Sequence, residues 1–344
     1  MTGMKKADLC RRLHGILDQI PGKRIAVIGD LIADEFLYGR IARVSREAPV
    51  LVLQYRDLVR LPGGAANAAN NLLDLGCRTT IIGTVGRDGA GNSLATALAR
   101  KKADLRFLRK EASYATPVKT RILAGAHHST PQQIVRLDRV SEPQQAAPIR
   151  WAGMRRDLGR LDGIILSDYG YGSAPPDTAR TLRGKFVAAH IPIVVDSRFR
   201  MAEFRGVTSI TPNITELEAA AGRSIGSDAK LLGKIARAVL RKQDLAHLLV
   251  TQGRFGMTLF EPGKEALHLP IFGSDEVADV TGAGDTVIAV FTAALACGAS
   301  AADAARLANY AGGIVVMKRG TATVTVEELR HAISSDAAEP SASH

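Results

Sequence analysis

The stretch DVTGAGDTVIAVFTAALA, residues 279–296, joins a glycine-rich turn to a long apolar run. Gly282, Ala283 and Gly284 are small enough for backbone amides to approach a bound group, and the apolar run predicts a buried helix. Free amides at the amino end of a helix stabilise negative charge, so the junction is a candidate anion hole. We expect Asp285 to lie in the first turn of that helix.

Apolar runs of strand length alternate with helical segments over most of the chain. Because these runs are continuous, they indicate strands buried on both faces of a sheet. Alternation with helices predicts an α/β fold with a doubly wound, mostly parallel sheet flanked by helices. The expected strands are RIAVIGD (24–30), TTIIGTVG (79–86), DGIILSD (162–168), IPIVVD (191–196), SITPN (209–213) and HLLVTQG (247–253), with helices at 64–76, 92–102, about 176–189 and about 214–222.

Two stretches break this alternation and predict a small second sheet. Residues 34–61 include VLVLQYRDLVRL, and residues 116–138 form two apparent strands joined by a polar turn. Such strands predict a lid over a ligand at the edge of the main sheet. The main domain is expected to span 23–332, after an amphipathic helix within 1–22 and before a small, polar, disordered tail at 333–344.

Composition disfavours several classes of protein. The 344 residues are 46% hydrophobic, which suits one large globular domain. Three widely spaced cysteines, Cys10, Cys77 and Cys297, argue against a disulfide framework or a zinc site and favour a reducing, cytoplasmic setting. The longest apolar stretch is about half the ~20 residues of a membrane span, and the first twenty residues lack the apolar centre of a secretory signal.

The net charge of +11 is spread along the chain. Lys and Arg form no basic run of about 5–8 residues, which would mark a nucleic-acid patch, and aromatic residues make up only 5% of the chain. We therefore expect no nucleic-acid partner and no membrane partner. A positive field also suits an enzyme whose ligands carry phosphate.

From the residues alone, Asp285 has two interpretations. It could simply complement the dipole of the helix that it opens. Alternatively, it could act as a general base that takes a hydroxyl proton while the neighbouring amides hold a transferring phosphoryl group. The two glycines, the preceding Asp279 and the strand-to-helix context favour the second interpretation.

Two further stretches also have structural and functional interpretations. Gly63 and Gly64 could bring the backbone close to a ligand, with the Asn67 amide directed at hydroxyls, or they could form a tight turn into a helix. Asn213 and Glu216 have capping-box spacing, which explains both residues without a ligand. The functional alternative for this pair is Mg²⁺ held through water, and the cap is favoured.

Several familiar sites are missing or weak in this sequence. It contains no G-x-x-x-x-G-K-[ST] loop, and GDLIAD follows the first strand in place of a dinucleotide-binding glycine motif. His127 and His128 lie in a polar turn without further ligands at metal spacing, so we assign them no role.

Taken together, these stretches resemble the ribokinase-like (phosphofructokinase-B type) carbohydrate kinases over residues 23–332. GGAANAANNLLDLG followed by GTVGRDGAG is similar to the family's N-terminal motif, and DVTGAGDT is similar to its C-terminal one. GDLIADEFLYGRIARVSREAPV, PVKTRIL, QQIVRLDR and LSDYGYG look most like the heptose-7-phosphate kinases of bacterial ADP-heptose synthesis. The resemblance implies ATP and Mg²⁺ as cofactors with K⁺ as a monovalent ion. It also implies a sugar-phosphate acceptor and a homodimer formed through the lid strands.

The resemblance also implies roles for individual residues. Asp285 would be the base, and the amides of Gly282, Ala283 and Gly284 would form the anion hole. The substrate-binding residues would be Asp30, Asp34, Gly63, Gly64, Asn67, Arg121, Arg136, Asp168 and Arg198. The nucleotide side would comprise Asn213, Glu216, Thr251, Gly253, Gly256 and Asn309. Glu216 would hold Mg²⁺ through water, and Asp279 with the backbone near Gly320 would form a monovalent-cation loop.

The sequence departs from this family pattern at two places. Relatives usually carry DYGKG where this chain has DYGYG, so Tyr171 replaces a lysine, and DPK where this chain has Ser197 and Arg198 after Asp196. Since Lys and Arg bind phosphate differently, either change could alter the substrate. A kinase for another sugar and a binding protein without turnover therefore remain alternatives. The sequence contains no H-x-G-H segment, so adenylyl transfer is expected to require another protein.

Overall fold

The computed structural model describes residues 3–125, 131–140, 146, 149, 158–186, 190–273 and 279–338. His127 and His128 lie outside these ranges. None of the helices in the described part of the chain combines the length and the apolar character that crossing a bilayer requires.

A nine-stranded sheet forms the centre of the molecule, in the order β13-β12-β11-β10-β9-β8-β1-β4-β5. Neighbouring strands are parallel except around β12, which is antiparallel to both of its partners. Its strands are β1 Arg24–Gly29, β4 Arg78–Gly86, β5 Asp104–Glu111, β8 Gly163–Asp168, β9 Ile193–Ser197, β10 Ser209–Ile210, β11 His247–Thr251, β12 Met257–Phe260 and β13 Leu267–Leu269. The predicted mostly parallel α/β sheet is confirmed.

The helices lie on both sides of this sheet because its central strands are apolar on both faces. In β1 every residue after Arg24 is buried, and all six residues of β8 are buried. Two separate apolar clusters cover the two faces. The helices of the described residues are α1 Gly3–Leu17, α2 Ala65–Asp74, α3 Gly89–Arg100, α4 Pro176–Phe186, α5 Ile214–Ala221, α6 Ala229–Gln243, α7 Ala283–Ala296, α8 Ala301–Val316 and α9 Val326–Ala338.

The second sheet has four strands in the order β3-β2-β6-β7. These are β2 Leu31–Val44, β3 Leu51–Gly64, β6 Val118–Gly125 and β7 Gln132–Arg139. β2 pairs antiparallel with β3 and parallel with β6, while β7 pairs antiparallel with β6. The small sheet predicted from the two interrupting stretches is therefore present, and β2 continues directly from β1 into it.

The two ends of the chain pack on the same side of the main domain. Leu13, Leu17 and Ile20 are fully buried, as the amphipathic pattern near the amino end predicts. At the other end α9 continues to Ala338, and Ile333 is 2% exposed. The expected start of a disordered tail at residue 333 is therefore wrong, because Ile333 packs into the core and the helix continues to Ala338.

Strands β1, β8, β9 and β11 run in the same direction and end at one edge of the main sheet. The amino end of α7 lies at this edge, and α7 contacts both β8 and β9. In open α/β sheets, ligands bind at the carboxyl ends of the strands. The fold thus brings the strand-end residues, the glycine turn before α7 and the second sheet together.

Candidate active site

The turn before α7 is built so that amides face outward. Gly282 caps the helix with φ +78°, a left-handed conformation that favours glycine, and a Cβ there would lie 2.4 Å from Asn67 Nδ2. The Thr286 amide donates to the Gly282 carbonyl at 3.1 Å, which closes the first turn. The amides of Gly284 and Asp285 precede that bond and have no intrahelical acceptor. The Ala283 amide donates to the Val280 carbonyl at 3.3 Å, so it contributes less to an anion hole than expected.

Asp285 is a buried carboxylate held in a fixed position. It is 4% exposed. Its Oδ2 accepts from Asn67 Nδ2 at 3.0 Å, and its Oδ1 accepts from the Tyr169 hydroxyl at 3.1 Å. Burial raises the pKa of Asp285 to about 7, against the two hydrogen bonds, which lower it. A carboxylate with a pKa near neutrality is matched to proton transfer at physiological pH.

The side-chain amide of Asn67 is directed at Asp285 and the glycine turn. We expected its amide to face sugar hydroxyls, but Nδ2 donates to Asp285 and, at 3.3 Å, to the Gly282 carbonyl. The side chain is fully buried, and its Oδ1 accepts from Asn71. α2 packs directly against α7, and Asn67 holds the Asp285 carboxylate and the glycine turn in place through these bonds.

Asp30 is likewise occupied by the protein itself. Its carboxylate is 0% exposed and accepts from three backbone amides, those of Tyr169 and Tyr171 at 2.9 Å and Ser173 at 2.8 Å. Burial raises the pKa of Asp30, and the three amides oppose that effect. The Asp30 carboxylate therefore fixes the loop after β8, and its predicted contact with sugar hydroxyls stays a prediction.

Asp34 lies at the start of the second sheet, next to the glycine pair. Its Oδ1 accepts from Arg121 at 2.6 Å, and it is 5% exposed. A Cβ on Gly63 would lie 2.2 Å from Asp34 Oδ2, and one on Gly64 would lie 2.9 Å from the Asp30 carbonyl. The two glycines thus allow β2 and β3 to approach closely, and they bring Asp34 near Asp285, whose pKa it raises.

Asp168 at the end of β8 also binds other protein groups. It is 1% exposed, accepts from the Ser197 hydroxyl at 2.7 Å and forms an ion pair with Arg200. Asp168 therefore holds the segment after β9, and its predicted contact with substrate stays a prediction. The physical reason is that a strand-end carboxylate buried in a sheet needs compensating donors, which the neighbouring strand end supplies.

Among the three predicted phosphate-binding arginines, two have carboxylate partners. Arg121 pairs with Asp34, and Arg136 pairs with Asp138 on the same strand. Arg198 is exposed. Burial raises the pKa of Asp196 and of Tyr171, and the charge of Arg198 opposes both effects. Tyr171, which occupies the position of the usual lysine, therefore lies close to Arg198.

A pocket beside the amino end of α7 brings together residues predicted for the nucleotide. It lies between the β11–β12 turn, the segment after β13 and α8. The side-chain Nδ2 of Asn309 donates to the Pro270 carbonyl at 2.8 Å, which ties α8 to the segment after β13. Among the residues that line it are Thr251, Gly253, Gly256, Ala283, Gly284 and Asn309. The pocket therefore shares Gly284 with the glycine turn.

Asn213 and Glu216 form the complete capping box that their spacing predicts. The Glu216 amide donates to Asn213 Oδ1 at 2.8 Å, and the Asn213 amide donates to Glu216 Oε2 at 2.9 Å. Asn213 bridges to Thr251, which lines the pocket. Burial raises the pKa of Glu216 and of Asp196, and the nearby negative charge of Glu216 raises that of Asp196 further. Asp196 and Glu216 thus place two carboxyl groups close to Asn213, next to the pocket.

Asp279 and Gly320 are in direct contact, although 41 residues separate them. The Gly320 amide donates to Asp279 Oδ2 at 3.1 Å, and the Thr281 amide donates to Oδ1 at 2.9 Å. The two segments therefore form one loop pair before α7. Within the described residues, no three His, Cys, Asp or Glu side chains are placed to hold a metal by themselves.

Sequence reasoning missed two residues of this site, Lys119 and Tyr169. The Lys119 ammonium lies 4.6 Å from the centroid of the Tyr169 ring, and the Tyr169 hydroxyl donates to Asp285. Both residues occur in stretches quoted for the resemblance, PVKTRIL and LSDYGYG. Tyr169 directly follows a strand of the main sheet, and Lys119 lies in a predicted strand of the second sheet. These positions could have indicated that both side chains lie near the site.

The fold and the site together define a phosphotransferase. A buried carboxylate with a raised pKa lies at the amino end of a helix, between a glycine-lined pocket and a sheet rich in cations. This arrangement can deprotonate a hydroxyl while outward-facing amides stabilise a phosphoryl group.

Comparison with known proteins agrees with this class. Residues 23–151 and 177–328 match the model of the pfkB family carbohydrate kinases. The chain is 42% identical over 308 residues to the bifunctional protein HldE of Geobacter metallireducens, covering 88% of this chain and 61% of that protein. It is 40% identical over 317 residues to HldE of Pseudomonas aeruginosa, covering 92% and 64%. The chain thus spans under two thirds of the length of these relatives. It belongs to the pfkB family of carbohydrate kinases.

Solved structures show the same fold. Arabidopsis thaliana ribokinase complexed with ribose and ATP superposes with a TM-score of 0.70 at 19% identity, covering 93% of this chain and 99% of that one. Phosphofructokinase-2 of Escherichia coli in complex with potassium superposes with a TM-score of 0.66 at 16% identity, covering 92% and 99%. The ribokinase-like fold, including the small lid sheet, is therefore confirmed.

Proposed function

We propose that this chain transfers the γ-phosphoryl group of ATP to the anomeric hydroxyl of D-glycero-D-manno-heptose 7-phosphate. The observation that carries the proposal is the environment of Asp285, which is buried, held by two hydrogen bonds and adjacent to amides without intrahelical acceptors. The substrate itself rests on the similarity to HldE proteins at about 40% identity. The expected setting is the cytoplasm.

In this mechanism Asp285 takes the proton of the attacking hydroxyl. Asn67 and Tyr169 hold its two oxygens, so the carboxylate is aimed before substrate arrives. The amides of Gly284 and Asp285 stabilise the charge that spreads over the phosphoryl oxygens. Positioning and electrostatics supply most of the rate enhancement in phosphoryl transfer. Closure of the lid sheet would exclude water from the reacting groups.

The phosphate of the acceptor would bind between the lid sheet and the loop after β9. Arg198 supports this assignment because it is exposed, forms no ion pair within the described part of the chain and lies near Tyr171. Arg121 and Arg136 would contribute while keeping their carboxylate partners. The Tyr171 hydroxyl can donate to a phosphate oxygen but brings no charge, so Arg198 would supply the cation that the usual lysine provides.

Mg²⁺ and K⁺ fit the residues present. Asp196 and Glu216 place carboxylate oxygens beside the nucleotide pocket. Mg²⁺ is usually bound by one or two carboxylates, several waters and the phosphates of its nucleotide, so these two side chains would be sufficient protein ligands. Mg²⁺ would neutralise phosphate charge there. Asp279 and the Gly320 loop offer carboxylate and backbone groups for K⁺, which supports its proposed place before α7.

The lid sheet would also join two copies of the chain into a homodimer. All residues of β7 are exposed, and several large apolar side chains lie uncovered on the lid strands. They are Ile41, Val44, Leu51, Tyr55, Ile134, Val135 and Leu137. Sedimentation velocity should give the mass of a dimer, and Tyr55→Glu should shift it toward the monomer; a monomeric parent protein would reject this assignment.

The test of the function is ATP consumption against a panel of acceptors in Mg²⁺ and K⁺. The panel contains D-glycero-D-manno-heptose 7-phosphate, fructose 6-phosphate, ribose and fructose. Selective turnover of the heptose phosphate is the expected result. Turnover of a different acceptor alone would keep the kinase mechanism and discard the substrate, an outcome that Tyr171 and Arg198 make worth testing.

A further inference from the structure

Lys119 is a buried cation whose position the mechanism above does not explain. It lies on β6 and is 9% exposed. Its register partners on the flanking strands are Asp34 and Asp138, yet within the described residues no carboxylate oxygen comes within 4 Å of its ammonium group. Buried charges normally have a close partner of opposite charge. The ammonium instead lies over the face of Tyr169, 4.6 Å from the ring centroid.

Tyr169 connects this cation to the base. Its hydroxyl donates to Asp285 Oδ1 at 3.1 Å, and its amide donates to Asp30, so both ends of the residue are fixed. In this structure the ring lies between the ammonium of Lys119 and the carboxylate of Asp285 and contacts both groups. Lys119 therefore lies near Asp285 without forming an ion pair that would block the carboxylate.

Charged groups on several elements face Asp285. Asp34 on β2 and Asp196 on β9 are carboxyl groups: the charge of Asp34 raises the pKa of Asp285, and burial, with the charges of Glu216 and Asp285, raises the pKa of Asp196. Asn67 on α2 and Tyr169 after β8 are neutral donors. Lys119 is the positive group whose charge favours ionised Asp285.

We propose that Lys119 is a positioning residue that keeps Asp285 ionised, acting across Tyr169 from the lid sheet. This inference rests on the proposed role of Asp285 as the base. Because Lys119 belongs to the lid and Asp285 to the main domain, movement of the lid away from α7 would remove the cation and favour protonated Asp285. The base would then be competent only beneath a closed lid, which limits hydrolysis of ATP in the open enzyme.

The first experiment measures kcat/KM for heptose 7-phosphate from pH 5.5 to 9 at saturating MgATP. Lys119→Met should raise the apparent pKa of the acid limb, the acidic side of the pH profile, by about one unit. At pH values below that pKa, the fraction of ionised base would fall about tenfold. Lys119→Arg should keep the limb near its original place. Arg40→Met removes a lid cation that contacts Gln54 and should behave like the parent enzyme. An unmoved limb, with only a higher KM for the acceptor, would show that Lys119 binds substrate and would overturn the proposal.

A second readout needs no turnover. The difference in Tm between the parent and Asp285→Asn reports the titration of Asp285 in the folded protein, and the Lys119→Met background should shift that titration to higher pH. Turnover retained by Asp285→Asn would reject the proposed base. A titration that Lys119→Met leaves unshifted would reject the coupling alone, so the two failures are distinguishable.

Discussion

Replacement of Asp285 by Asn should stabilise the protein at alkaline pH while it removes activity. The pKa of Asp285 is about 7 in the folded protein, against an ordinary value of 3.8. Between these two values the folded state holds a proton that the unfolded state has lost. Stability from this group is therefore complete below the ordinary pKa and is lost as pH rises through the folded pKa.

The magnitude follows from the two pKa values. From pH 5 to pH 8.5, one such group lowers the free energy of unfolding by about 3 kcal/mol. Asn does not titrate, so the free energy of unfolding of the variant minus that of the parent should rise by this amount over the same range. For a chain of this length, 3 kcal/mol corresponds to a Tm difference of about 4 °C.

The Asn side chain keeps one acceptor oxygen, which can accept from Asn67, so the hydrogen bond from the Tyr169 hydroxyl loses its carboxylate acceptor. Loss of that bond costs about 1 kcal/mol at every pH and does not change the slope. Thermal unfolding of both proteins at four pH values between 5 and 8.5 separates the two effects. A stability difference that stays constant with pH would show that Asp285 is not a buried acid with a raised pKa. In the same variant, turnover should fall by about 10²–10⁴-fold.

Other substitutions test other parts of the site. Asp30→Ala should lower the free energy of unfolding by about 3 kcal/mol or more in urea titrations, because three buried amides lose a charged acceptor; a loss below about 1 kcal/mol would contradict the loop-fixing role. Gly282→Ala should cost about 1–3 kcal/mol from its left-handed backbone and should lower kcat at least tenfold by displacing Asn67; a variant with normal kcat would exclude this dependence. Arg198→Ala should raise KM for heptose 7-phosphate by about tenfold or more and leave KM for ATP unchanged, since a charged hydrogen bond contributes about 1.5–3 kcal/mol; an unchanged acceptor KM would remove Arg198 from the phosphate site.

The sequence predicts the fold well because its signals are local. Continuous apolar runs such as RIAVIGD mark strands that are buried on both faces, and the glycine turns mark where strands give way to helices. The lid sheet was also predictable, since no helix separates its strands. The pocket residues Thr251, Gly253 and Asn309 lie together, as the family resemblance implies.

The direction of individual side chains was harder to predict. Asp30 and Asn67 follow the expected strand and glycine pair, but their partners lie 139 to 218 residues away in the chain. A carboxylate at a strand end can face a ligand or a neighbouring loop, and only tertiary packing decides between them. Lys119 was missed for the same reason, because it lies in the second sheet and its partner, the Tyr169 ring, follows a strand of the main sheet.

Asp30 holds the loop after β8 through backbone amides, so the conformation of that loop does not depend on its side chains. Asp30 binds the backbone amide at position 171 and makes no use of the side chain there. The backbone of the loop can therefore keep its conformation whichever residue occupies position 171. The side chain at that position can then differ without moving the loop. A substitution at position 171 should therefore change the chemistry of the loop and leave its backbone path unchanged.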